Sequence, residues 1–186
     1  MSASAVCVSG VSIFSLGDNF SVFGQIIIII LVQIGALGIM TITTILAVVM
    51  GKRIQLRDRL LIQESLQRWS VAGVVRLVIS IVKMTVAFEF IGGVVLTIIF
   101  CQDYSVGTAI YFGFWHSISA FCNAGFDLMG AFGMSSFIGY NANWVVCLTL
   151  MALILIGGIG FFVWSDLKEH KLHFRKYALH TKIVLV

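Results

Sequence analysis

The sequence predicts an all-α integral membrane protein, and three observations carry that prediction. The 186 residues are 60% hydrophobic and only 11% charged, with a mean hydropathy of +1.06. Three long apolar runs alternate with segments that hold nearly all of the Lys and Arg residues. A short pattern, S-A-x-C-x-x-G, occurs near the start and again 115 residues later.

Soluble domains carry about 25% charged and about 45–50% apolar residues. In a chain this short, surface-to-volume scaling leaves too much apolar surface for a water-solvated fold to hide. Lipid is therefore the expected solvent for much of it. The net charge of +4 does not indicate nucleic acid, because no basic stripe interleaved with aromatics accompanies it. Cys7, Cys101, Cys122 and Cys147 are scattered without a C-x-x-C pair, so they read as small apolar residues and not as a zinc site or disulfide framework. The N-terminus lacks the positive n-region of a signal peptide, and the apolar run from Ile26 is too long for an h-region.

The first span is expected over Ile26–Met50, whose 25 residues reach about 37 Å as a helix, enough for a hydrocarbon core of about 30 Å. Gly51-Lys52-Arg53 ends it. The second is expected over Ile79–Phe100 and the third over Trp144–Trp164. Lys52, Arg53, Arg57, Arg59, Arg68 and Arg76 lie between the first two spans. Lys168, Lys171, Arg175, Lys176 and Lys182 follow the third, whereas residues 1–25 and 101–143 contain no Lys or Arg. The positive-inside rule places 51–76 and 166–186 in the cytoplasm, and 1–25 and 101–143 outside. Residues 53–69 read as an amphipathic helix along the cytoplasmic interface, with Leu56, Leu60, Ile62 (or Leu61), Leu66 and Trp69 on one side. Lys83 is expected to snorkel.

The apolar stretch Ile110–Met129 lies between two external flanks, yet it carries His116, Ser117, Ser119, Asn123 and Asp127. A crossing there would invert the charge assignment after it. A re-entrant half-helix returning as extended chain keeps the assignment, and non-helical backbone at that depth requires protein or a water-filled cavity around it. The internal repeat agrees with this reading. Ser4–Gly10 aligns with Ser119–Gly125, and further on Ile34-Gly35-Ala36-Leu37-Gly38 aligns with Ile156-Gly157-Gly158-Ile159-Gly160 at an offset of 122. Each half thus has a re-entrant element followed by an inward span. The unit is helix, pore loop, helix, of the potassium-channel kind, and the first copy lacks its opening helix.

Such a unit suits a selectivity filter, in which backbone carbonyls replace the hydration shell of a monovalent cation. Aiming successive carbonyls at one axis needs dihedrals that glycine tolerates, and Gly10 and Gly125 stand at that position. The candidate filter residues are Val8, Ser9 and Gly10 in one half, and Asn123, Ala124 and Gly125 in the other. Tight turns or close helix packing would also account for these glycines. For Gly35, Gly38, Gly157 and Gly160 packing is the preferred reading.

Glu89 falls well inside the second span, where an ionisable group faces protein or water. It is a candidate for the ion path or for sodium coupling, but a structural hydrogen bond to a neighbouring helix is preferred. Asp127 either concentrates cations at the outer mouth or caps the returning turn. Asp18, in Gly17-Asp18-Asn19, reads as a turn residue, and Asn123 as a brace for the filter loop. His116 could ligate haem or a metal, though a local hydrogen bond is the commoner use. His170, His173 and His180 lack partners in a metal-ligand pattern.

Several segments together resemble a known family: SAVCVSGVS (4–12), QIGALGIMTITTIL (33–46), GKRIQLRDRLLIQESL (51–66), HSISAFCNAGFDL (116–128) and LILIGGIGFF (153–162). They are similar to the membrane subunit of the Trk/Ktr/HKT potassium transporters. The resemblance implies four helix–pore–helix repeats around one ion path, with filter glycines matching Gly10 and Gly125. In plant relatives a serine at the first of these positions goes with sodium preference, so Gly10 favours potassium. A homodimer and a cytosolic nucleotide-binding regulatory subunit are also implied, docking against 51–68 and the tail after Asp166; lipid headgroups would explain the same charges. No cofactor is expected, with K+ as cargo and Na+ as a candidate coupling ion.

On this reading residues 1–50 are the end of the first pore loop and its following span. Residues 71–165 form the second repeat, joined by the linker 51–70 and followed by the basic segment 166–186. The third and fourth repeats are missing, so the chain is expected to be truncated and not to transport alone. Two alternatives stand beside potassium uptake: a fragment with no autonomous role, and a membrane redox subunit holding haem or quinone through His116.

Overall fold

The computed structural model describes residues 1–12, 15–38, 71–132, 135–160, 163–164, 166–167, 177 and 179–185. Every element among them is helical. In chain order they are α1 (Ser2–Val6), α2 (Leu16–Asn19), α3 (Val22–Leu37), α4 (Val71–Phe100), α5 (Val106–Phe121), α6 (Trp144–Gly158) and α7 (Leu179–Leu185). Short 3-10 helices cover Met129–Phe132 and Ser135–Tyr140. The interfacial helix expected over 53–69 and most of the basic tail lie outside the described residues.

Apolar composition and length make Val78–Phe100 within α4 long enough to cross a membrane. The helix itself has 30 residues, about 45 Å at 1.5 Å per residue, and begins at Val71 instead of Ile79. The other two spans depart from expectation. α3 stops at Leu37 and α6 at Gly158, short of uninterrupted runs to Met50 and Trp164. Both stop within a residue of the same place in the repeat, because Gly38 (φ 78°) and Gly160 (φ 90°) take left-handed dihedrals that end an α-helix. Among the described residues, a Cβ added at either would meet nothing within 4 Å. The packing role expected of these two glycines is therefore corrected: they break helices.

The chain divides into two units, Met1–Ala36 with Thr85–Gly158, and Leu37–Met84 with Ile159–Val186. In the second, Val78, Ile81, Val163 and Tyr177 are buried. The first carries the candidate site. There α4 packs on α5 and α6 through small residues, since a Cβ on Gly92 would come within 2.7 Å of Leu153 and one on Gly93 within 2.7 Å of Phe114. Without a hydrophobic drive between helices in lipid, such close approach supplies the packing. Asn143 starts α6 as its N-cap, its Oδ1 accepting from the Val145 and Val146 amides at 3.2 and 3.4 Å.

At the ends of α4 and α5 an aromatic cluster closes the unit. Phe100, fully buried, lies 5.2 Å from Tyr140 by ring centroids, and His116 lies 4.7 Å from Phe137. The Tyr140 hydroxyl donates to Asp103 Oδ2 at 2.7 Å. Burial, and then the Asp103 hydrogen bond, push the phenol above its ordinary range, so it remains a donor. Tyr140→Phe should destabilise this end by about 1 kcal/mol, the ordinary net worth of one hydrogen bond, because the exposed Asp103 regains water. Thermal unfolding in detergent measures it; an unchanged midpoint would mean that the bond contributes nothing net.

Candidate functional site

The two S-A-x-C-x-x-G segments fold alike, bond for bond. At the end of α1, the Cys7 amide donates to Ala3 O (2.9 Å), Val8 to Ala5 O (3.2 Å) and Ser9 to Ser4 O (3.0 Å). At the end of α5, Cys122 donates to Ile118 O (2.9 Å), Asn123 to Ala120 O (3.0 Å) and Ala124 to Ser119 O (2.9 Å). These are Schellman closures, with Val8 (φ 52°) and Asn123 (φ 58°) in the left-handed position. Asparagine tolerates that region, whereas a β-branched valine there is an outlier that only surrounding structure sustains. Two residues on, Gly10 (φ 68°) and Gly125 (φ 72°) are left-handed again.

The two turns meet. A Cβ built on Gly10 would collide with the Ala124 carbonyl oxygen and lie 3.6 Å from Gly125 Cα. One built on Gly125 would find Gly10 Cα at 4.0 Å. Past the glycines the chains stay together, since Gly130 abuts Ser15 and stands 3.0 Å, by its would-be Cβ, from Asp18 Oδ2. Asp18 lies in the short helix α2. Backbone thus approaches backbone at the centre of the site, and no side chain intervenes between the two glycines.

Each turn is also crossed by the helix that follows it. A Cβ on Gly35 would run into Val6 O, and one on Gly157 into Phe121 O. Val6 and Phe121 are equivalent at the 115 offset, as Gly35 and Gly157 are at 122. For these two glycines the packing reading holds, and it serves to bring the helix against the last carbonyl before each turn.

Several side chains hold the second turn. With its amide oriented to satisfy both ends, Asn123 donates to Ile154 O and accepts from the Gly158 amide, each at 3.3 Å. Ser119 Oγ donates to Phe126 O at 2.7 Å. His116 Nδ1 donates to Phe112 O at 2.7 Å and its Nε2 accepts from the Leu128 amide at 3.1 Å. Both ring nitrogens are engaged, so the haem-ligand alternative is corrected; His116 fastens the returning chain to α5. Asp127 Oδ1 accepts from the Met129 amide at 3.1 Å, an Asx-type turn closure. Together with His116, Asn123, Gly125 and Phe137, Asp127 lines an open cavity of about 410 Å³.

Glu89 is not at this cavity. It is buried on α4 and its Oε1 accepts from Gln33 Nε2 at 2.9 Å. Gln33 and Gln25 were missed by sequence reasoning. Gln25 Nε2 donates to Leu16 O (3.2 Å) and Phe20 O (3.0 Å), and its Oε1 accepts from Tyr111 Oη (2.9 Å). A glutamine within an apolar run was the available signal, because a buried amide in such surroundings must find partners.

Among the described residues the protein is all-helical, with one helix long and apolar enough to cross a membrane. The chain belongs to the TrkH family of cation transport proteins, whose family model matches residues 1–182. The family is one of transporters and not of enzymes. The chain is 36% identical over 183 residues to the potassium/sodium uptake protein NtpJ of Enterococcus hirae, covering 98% of this chain and 39% of that protein. It is also 36% identical to the Ktr system potassium uptake protein B of Bacillus subtilis, over 98% of this chain and 40% of that one. The protein of the same name in Vibrio alginolyticus matches at 36% over 98% and 40%. The chain thus spans about two fifths of the length of these relatives.

Proposed function

We propose that this chain contributes two of the filter elements of a potassium uptake pathway, Val8–Gly10 and Asn123–Gly125, in the translocating subunit of a Ktr/Trk-type system. The observation that carries the reading is the meeting of two equivalent left-handed glycine turns, each at the end of a helix and each crossed by a glycine of the following helix. Carbonyls from such turns can replace water around a monovalent cation, and the helix C-termini lend them partial negative charge. On this reading α5 is a pore helix entering from outside, α4 and α6 span the membrane, 1–25 and 101–143 face outward, and the basic segments face the cytoplasm. Asp127 stands at the outer mouth. Coupling to sodium, homodimer formation and docking of a cytosolic nucleotide-binding subunit belong to the same proposal; one relative's name pairs potassium with sodium, and another's places it in a Ktr system.

Growth of a bacterial strain lacking potassium uptake tests it. The full-length transporter carrying this segment should restore growth at limiting potassium, and Gly125→Ser should remove that rescue while its membrane level is unchanged. Rescue undiminished by Gly125→Ser would overturn the filter assignment.

A further inference from the structure

Three elements converge behind the second filter turn. Glu89 of α4 accepts a hydrogen bond from the Gln33 amide of α3 at 2.9 Å. Gln33 Oε1 in turn accepts from the thiol of Cys122, the last residue of the α5 cap, at 3.3 Å. The thiol also stands 3.9 Å from Glu89 Oε1. One α5 turn and a residue earlier, Ser117 Oγ donates to the backbone carbonyl of Glu89 at 2.7 Å. Asn123-Ala124-Gly125 follows directly on Cys122, so the place where the filter leaves the helix is tied to two other helices.

The arrangement is not repeated. Cys7, the counterpart of Cys122, is exposed, and the position matching Gln33 at the 122 offset is Leu155. The fastening of the second turn therefore comes from a residue of the first repeat. Gln33 has its direction set by both ends, its N–H donating to a carboxyl oxygen and its C=O accepting from a thiol. An amide in place of the Glu89 carboxyl still offers the oxygen that this chain needs; an alkyl group does not, and leaves a chain of part-buried polar groups half satisfied.

We infer that Glu89, with Gln33 and Cys122, positions the second filter turn and thereby sets potassium-over-sodium selectivity, acting as a hydrogen-bond acceptor and not as an ion ligand. The inference rests on the filter reading above. Glu89 is a positioning residue here, since it acts through Gln33 and Cys122.

Competition of sodium against rubidium uptake in the assembled transporter, normalised to membrane protein, tests it with four variants. Glu89→Gln should stay within about twofold of the wild type, while Glu89→Leu and Gln33→Leu should each lower selectivity about tenfold, the order of one lost buried hydrogen bond. Gln33 is only half-buried, so Gln33→Leu keeps the test alive if Glu89→Leu does not reach the membrane. Loss in Glu89→Gln equal to that in Glu89→Leu would overturn the inference in favour of a charge on the ion path. Unchanged selectivity in both leucine variants would overturn it too. Gly125→Ser separates the two readings: if it alters selectivity and the leucine variants do not, only this inference fails; if it alters nothing, the filter reading fails with it.

Discussion

In the full-length transporter, replacing Gly10 with alanine should abolish the selective potassium uptake proposed above, and should do so more completely than the same change at Gly125. Both positions have left-handed dihedrals, φ 68° and 72°, so both substitutions incur about 1–2 kcal/mol of local strain. The difference is what the new Cβ meets. At Gly10 it collides with the carbonyl oxygen of Ala124, on the other turn, with the carbonyl carbon at 3.3 Å. Neither atom can rotate away, because both are backbone. At Gly125 the nearest atom is Gly10 Cα at 4.0 Å, ordinary contact. A change at Gly10 thus displaces a carbonyl of the second turn as well as its own. Initial rates of rubidium uptake, with sodium as competitor and equal membrane levels, should fall at least about tenfold further for Gly10→Ala than for Gly125→Ala, corresponding to a further ~1.4 kcal/mol. Equal losses would show that the two turns do not touch as described.

Gly157→Ala should destabilise the protein strongly, although glycine-to-alanine in a helix interior ordinarily stabilises by about 1 kcal/mol. The new methyl would overlap Phe121 O and come within 2.9 Å of Phe121 C. Overpacking against movable side chains costs about 1–3 kcal/mol, and here the obstacle is the last turn of α5, held by the Schellman bonds and by Ser117. Gly35→Ala repeats the experiment on the first turn, where Val6 O and Val6 C stand in the way. Gly107 is the control: it lies in the first turn of α5 with nothing within 4 Å of an added Cβ, so alanine there should be neutral or stabilising. Thermal stability followed by size-exclusion in detergent gives the sign of each. Stabilisation by Gly157→Ala would mean that α6 does not cross α5 at Phe121.

Much of this site was legible in the sequence, and the illegible part has a physical cause. The S-A-x-C-x-x-G repeat announced two equivalent turns because the same small residues recur at the same spacing before a glycine. Asn123 and Gly125 advertise left-handed dihedrals by their chemistry. Val8 does not: a β-branched residue at φ 52° contradicts its own preference, and only its alignment with Asn123 hinted at it. The I-G-x-x-G repeat was equally visible, but its two glycines look alike as letters. One of each pair lies against a carbonyl; the other ends the helix.

The apolar runs, the alternation of basic segments and the paired motifs were determined by the sequence alone, because each is a local property of composition and spacing read along the chain. Which glycine packs and which breaks, that Gly10 and Gly125 face each other, and that Gln33 joins Glu89 to Cys122 were decided only by the tertiary structure. Those contacts join residues 56, 89 and 115 positions apart, and nothing local marks them. A glutamine in an apolar run states that it needs partners, while the packing of helices decides which partners it receives.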